Sequence, residues 1–95
     1  MEYKFTDNSA AGQYEFKVGG FVPRIVYRKS GDKIYLTHTE VPAPLEGKGI
    51  ASLLVKEALE DIQQKGLKLV QVCPFVIRYI QRHPEWEFFI LKEKK

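Results

Sequence analysis

A mixed α/β fold, with antiparallel strands first and a β-α-β-α-β run after them, is predicted by a change of hydrophobic period part-way along the chain. Up to about residue 41, apolar side chains recur at alternate positions. Over residues 48–65 they recur three and four apart, through Ile50, Leu54, Ala58 and Ile62. Between the two patterns lies a glycine-containing junction, Glu46-Gly47-Lys48-Gly49-Ile50-Ala51, and the helical pattern is followed by a nearly continuous apolar run over residues 67–72. Such a run fits a strand covered on both faces.

Taken in order, residues 5–8 read as a short strand closed by the turn residues Asn8, Ser9 and Gly12. Residues 13–18 alternate through Tyr14, Phe16 and Val18, and Gly19-Gly20 reads as a hairpin turn. Residues 21–28 are rich in β-formers, Ser30-Gly31-Asp32 makes the next turn, and residues 34–41 form the fourth strand. The helix over 48–65 buries a stripe widened by Leu53, Val55 and Leu59, and Gly66 stands where a C-terminal cap belongs. The strand over 67–72 ends at Cys73-Pro74, a short helix spans 75–82 and stops at Pro84, and residues 86–91 read as a last strand. The unit over 34–73 would set two parallel strands side by side through a right-handed crossover. Residues 1–95 are expected to form one domain.

Composition excludes several classes. With 44% hydrophobic and 13% aromatic residues, the 95-residue chain can bury a core and is too apolar for disorder. No apolar run approaches the ~20 residues of a membrane span, and the N-terminus lacks the layout of a signal peptide. The single cysteine, Cys73, cannot form an internal disulfide, so a reducing, cytoplasmic setting is expected. The net charge of +3 is modest, partly from the tail residues Lys92, Lys94 and Lys95, and reads as surface solvation. No strand carries the aromatic-basic pattern of an RNA-binding sheet, so no nucleic-acid partner is expected. No Cys/His cluster has metal-ligand spacing, so neither is a metal.

The junction carries the chemistry. Backbone N–H groups at a helix N-terminus are unpaired and partly positive, and glycine lets an anion approach them closely. Strand, pyrophosphate cradle and helix is therefore the reading of residues 37–65.

The loop resembles that of the GNAT superfamily of acyl-CoA-dependent N-acetyltransferases, where Gln/Arg-x-x-Gly-x-Gly/Ala joins the fourth strand to the main helix and its amides bind the cofactor pyrophosphate. Gly49 and Ala51 match, and Glu46 departs from the first position. A carboxylate there repels pyrophosphate if it points inward. With His38-Thr39-Glu40-Val41-Pro42, Cys73-Pro74-Phe75-Val76 and His83-Pro84-Glu85-Trp86, most of the chain resembles the small single-domain GNAT-like family. Its members lack the two N-terminal helices that usually cover the acceptor site. The resemblance implies acetyl-CoA as co-substrate and a cradle from Glu46, Gly47, Lys48, Gly49, Ile50 and Ala51. It also implies backbone contacts to the acetyl arm from Thr39 and Val41.

Strict alternation along the fourth strand would put Ile34, Leu36, His38 and Glu40 on one face, and Tyr35, Thr37, Thr39 and Val41 on the other. Either His38 or Glu40 could then relay a proton from an attacking amine; the plainer readings are a surface histidine and an ion-paired carboxylate. Cys73 is open to three readings: acyl carrier, unreactive wall of the acetyl pocket, or small buried hydrophobe. Tyr79 lies on the short helix where many GNAT enzymes carry a tyrosine that protonates the leaving thiolate, and is the candidate for that role beside the reading of a core tyrosine. His83 and Trp86 are expected to fix the helix exit. The expected activity is acetyl transfer to an amine of unknown identity by direct attack in a ternary complex, by a monomer. The alternative is a non-catalytic CoA-binding or protein-interaction module on the same fold, to which the missing helices and Glu46 both point.

Overall fold

The computed structural model describes residues 3–89. Five strands, β1 (Lys4–Asn8), β2 (Gln13–Lys17), β3 (Arg24–Ser30), β4 (Lys33–Glu40) and β5 (Lys68–Gln71), form one sheet in chain order. The first four are antiparallel; β4 and β5 are parallel, joined through helix α1 (Ile50–Gln64). Helix α2 (Pro74–Arg82) follows β5 directly.

Local chemistry sets the turns. After β1, Asn8 Oδ1 accepts the Ala11 N–H at 3.2 Å, and Gly12 takes φ 70° where a Cβ would press to 3.3 Å from the Tyr27 carbonyl. At Gly19-Gly20, Val18 and Phe21 exchange both backbone hydrogen bonds, at 2.9 and 3.0 Å. Pro23 then interrupts the ladder, because it has no N–H, so β3 begins at Arg24 rather than at residue 21.

One apolar cluster joins both helices to one face of the sheet. Tyr14, Ile25, Ile34 and Leu36 from the strands meet Leu54, Ala58, Leu59 and Ile62 of α1, all fully buried. Val76, Tyr79 and Ile80 of α2 belong to the same cluster. The opposite face is polar: Thr6, Glu15, Arg24 and Glu40 fall in one row across β1 to β4.

The strand expected over 86–91 is not formed as far as the description reaches. Residues Pro84–Phe89 make a 3-10 helix instead, and residues 90 and 91 lie outside the described residues. Pro84 has no amide to give to a ladder, and the Trp86 N–H turns back to the His83 carbonyl at 3.1 Å.

Candidate active site

The register of β4 breaks in the middle. Val26 pairs with His38 but Tyr27 pairs with Leu36, so Thr37 is the extra residue of a β-bulge, its hydroxyl donating to the Val26 carbonyl at 3.2 Å. An inserted residue reverses the alternation beyond it. Cross-strand partners share a face, so Thr39, opposite buried Ile25, turns toward the helices, while His38 and Glu40 turn to the bare face. The expectation that His38 and Glu40 share a face with Ile34 and Leu36 is thereby overturned, and it is Thr39 and Val41 that rejoin the core side. His38 and Glu40 are both exposed, and Glu40 accepts a hydrogen bond from Arg24 at 2.5 Å.

A second irregularity lies next to the first. The β4–β5 ladder ends at Leu36 and Gln71, where the Leu36 carbonyl accepts both the Val72 N–H (3.3 Å) and the Cys73 N–H (2.9 Å). Pro74 then turns the chain into α2, so the last residues of β4 face the start of a helix across a gap rather than another strand. Thr39 Oγ1 and Cys73 Sγ meet across it at 3.3 Å. Cys73 precedes α2 as its N-cap residue and is buried, 5% exposed.

Beside this gap lies a cleft of about 340 Å³. Thr39 and Val41 form one wall, Glu46, Gly47 and Gly49 the loop, and Ile50, Ala51 and Ser52 the first turn of α1. Leu45 and Phe75 complete it. Seven of the eight residues assigned from sequence to the cofactor line the cleft; Lys48 is exposed and is not among the lining residues. Leu45, Ser52 and Phe75 were missed. Phe75 was within reach, as the apolar residue straight after Cys73-Pro74, and Ser52 as a hydroxyl in the first turn of the helix.

The loop fits a phosphate. Gly49 caps α1 at φ 74° with no side-chain hydrogen bond, and the first turn holds no acidic residue. Leu53 is the first residue whose amide closes onto the helix, donating to the Gly49 carbonyl at 3.1 Å, so the amides before it stay available. A Cβ built at Gly47 or Gly49 would meet nothing within 4 Å. The space above these amides is open, and the helix dipole favours an anion there.

Tyr79 sits one turn beyond Phe75 on α2, 4% exposed, with its ring 4.3 Å from that of His83. Burial pushes its phenol up from the ordinary value, with the Lys56 charge and then a hydrogen bond from Trp86 opposing. It does not itself line the cleft. The structure thus brings together Thr39, Val41, the glycine loop and Cys73, places Tyr79 in the core under α2, and leaves His38 and Glu40 on the far side of the sheet. Among the described residues no group of three or more His, Cys, Asp or Glu is arranged to hold a metal, and no helix is long and apolar enough to cross a membrane.

Residues 13–89 match the family model described as GCN5-related N-acetyl-transferase. The chain belongs to the GCN5-related N-acetyltransferase family. It is an acetyltransferase by that membership, and the acceptor is not specified by it. Protein NATD1 of mouse is 35% identical over 75 residues, covering 76% of this chain and 68% of the relative. NATD1 of Xenopus tropicalis is 33% identical over the same length, covering 76% and 69%. In fold the chain is similar to a GCN5-like protein of Staphylococcus aureus solved by NMR, with a TM-score of 0.70 over 98% of this chain and 90% of that one, at 21% identity.

Proposed function

We propose that the protein binds acetyl-CoA in the cleft and passes its acetyl group to an amine by direct attack in a ternary complex. One observation carries this reading: the bulge at Thr37 turns Thr39 and Val41 onto the same cleft wall as the open amides of the glycine loop. The amides of Gly47 to Ala51 would hold the pyrophosphate, Lys48 adding a mobile positive charge at the rim. Leu45, Ile50 and Phe75 give the apolar lining. Bound acetyl-CoA would supply an activated thioester carbon.

The protein's own groups divide by face. His38 lies on the bare face, on the bulged segment of β4, and no side-chain hydrogen bond or ion pair engages its imidazole among the described residues. An amine coming from that side meets it first, and imidazole is suited to taking a proton at neutral pH. Glu40 is already held by Arg24 and serves better to fix the end of β4 than to accept that proton. Tyr79, one turn beyond the cleft-lining Phe75 and protonated at neutral pH as any ordinary phenol is, is the candidate to give a proton to a departing thiolate. Cys73, buried and in contact with the Thr39 hydroxyl, reads as wall rather than nucleophile.

The test is calorimetric titration of acetyl-CoA into the wild type and Gly49→Asp. Aspartate tolerates left-handed φ better than most residues, so the variant should fold while placing a carboxylate at the cradle. Saturable binding by the wild type, weakened about 100-fold or roughly 2.7 kcal/mol in the variant, supports the reading. A wild type that binds nothing at millimolar ligand overturns it. Glu46, a carboxylate in the cleft wall, favours a second reading, a CoA-binding module without turnover. Release of free thiol on adding amine acceptors separates the two.

A further inference from the structure

The bare face of the sheet is not neutral. The register places Lys4, Lys17, Arg24, Arg28, Lys33 and Lys68 on it, against two acids, Glu15 and Glu40. The chain has 15 Lys and Arg against 12 Asp and Glu, so the rest of the molecule holds nine against ten. Both acids of the face are already engaged: Glu15 accepts hydrogen bonds from Asn8 and Gln13, and Glu40 pairs with Arg24. The five other cations have no carboxylate partner among the described residues.

Two pairs stand directly opposite one another, Lys4 with Lys17 and Lys33 with Lys68. Like charges at facing positions destabilise a sheet. A surface that keeps two such pairs, uncovered by any helix among the described residues, complements an anionic partner.

The spacing decides the size of that partner. One lysine pair lies on β1 and β2 and the other on β4 and β5, at opposite ends of the strands. Strand spacing and rise put them roughly 14 Å apart across the sheet and about 25 Å along it. A small acid cannot touch both, whereas about nine residues of extended polypeptide can. His38 lies on the same face between the two pairs. Arg28 already stands over one face of the Tyr35 ring at 5.3 Å, which leaves less of it for base stacking.

We infer that this face docks an acidic polypeptide segment and presents its lysine or N-terminal amine at His38. The inference rests on the acetyl-transfer reading above for the role of the amine, and on the charge pattern alone for the docking. Net transfer would leave an amide on the segment, a free CoA thiol and one proton released to solvent.

The experiment is fluorescence anisotropy of a labelled peptide of about twelve residues, glutamates flanking one lysine, against its glutamine counterpart. It is run without acetyl-CoA, so that docking is read apart from transfer. The acidic peptide should bind at least about tenfold tighter at low salt, with the preference lost near 0.5 M NaCl. The double variant Lys17→Glu/Lys33→Glu should lose the preference while acetyl-CoA affinity stays unchanged. Equal binding of the two peptides, or a double variant that keeps the preference, overturns the inference. So does tighter binding of a single-stranded oligonucleotide of equal charge or of phosphatidylserine vesicles. If the acidic peptide docks but acetyl-CoA does not bind, the docking stands and the transfer reading falls.

Discussion

The two ends of α1 are built on opposite terms. At its C-terminus the helix is closed by a backbone cap. The Gly66 N–H closes on the Gln63 carbonyl at 3.1 Å and the Leu67 N–H on the Ile62 carbonyl at 3.2 Å, a Schellman cap made possible by φ 69° at Gly66. Around the cap, Lys65 bridges Asp7 of β1 and Asp61 of α1, at 2.7 Å each. The hydroxyls of Tyr14 and Tyr27 donate to Asp61 and Asp7 at 2.8 and 2.5 Å. At the N-terminus no side chain caps the helix and the amides of the glycine loop look into the cleft. The fold concentrates polar satisfaction at one end and leaves the amides of the other end open at the proposed cofactor site. Stability and the proposed function thus meet on one helix, at ends that mutation can test apart.

The sharpest break of this contrast is Asp61→Ala. It strips the partner from the buried Tyr14 hydroxyl and one of the two carboxylates from Lys65. An orphaned buried hydroxyl costs about 1–3 kcal/mol. In a domain of this size that lowers the melting temperature by roughly 10 °C. Calorimetry on the same variant should find acetyl-CoA affinity within about twofold of wild type, since the change lies at the far end of the helix. A large loss of affinity would show that the two ends are coupled.

Next in size is a matched pair, Gly66→Ala and Gly49→Ala. Both residues hold left-handed φ, 69° and 74°, and neither Cβ would meet an atom within 4 Å. Strain alone then predicts a similar loss of about 1 kcal/mol in each. Urea denaturation measures that loss. Only Gly49→Ala puts a methyl group into the space over the cradle, so only it should weaken acetyl-CoA binding, by roughly tenfold or 1.4 kcal/mol. Equal effects of the pair on affinity would remove the special standing of the N-terminal end.

The glycine loop, the helix and its cap were legible because each depends on a residue with a local meaning. Gly49 and Gly66 mark positive φ, and Ile50, Leu54, Ala58 and Ile62 mark a period. The bulge was not legible. Thr37 is as good a strand residue as its neighbours, and only pairing with β3 shows that it is surplus. From that one residue follows the misplacing of His38 and Glu40, since a shift of one position exchanges the faces of everything beyond it. The expected strand over 86–91 failed for a related reason. Trp86, Phe88 and Phe89 have the composition of a strand, but Pro84 has no N–H for a ladder and the Trp86 N–H closes on the His83 carbonyl.

A smaller effect sharpens the N-terminal half of the comparison. Glu46 is the single carboxylate among the residues lining the cleft, and it stands where the resembling loops carry Gln or Arg. Glu46→Gln should tighten acetyl-CoA binding about threefold to fivefold at low salt, in the range of ~0.5–1 kcal/mol for an exposed charge near a helix terminus. The gain should fade as salt is raised. An unchanged affinity would show that the carboxylate points to solvent, away from the pyrophosphate.

The smallest expected effect tests the C-terminal half through pH. Burial pushes the Asp7 carboxyl up, but hydrogen bonds from Lys65 and Tyr27 outweigh it and hold the group below its usual value. A carboxyl lower in the folded than in the unfolded chain adds stability above the unfolded value, near 3.9, and loses it as pH falls through the folded one. Lys65 has the opposite sign: its hydrogen bonds to Asp61 and Asp7 raise it, so its contribution is complete below about 10.4 and is lost as pH rises further. Urea midpoints taken from pH 6 down to pH 2 should therefore fall more steeply in the wild type than in Asp7→Asn, which keeps the shape of the side chain and removes the titration. The glycine loop has no titrating group of this network beside it. Acid should accordingly loosen the clamped end of α1 before it alters the open one, and parallel curves for the two proteins would mean that the clamp contributes nothing to the acid stability of the fold.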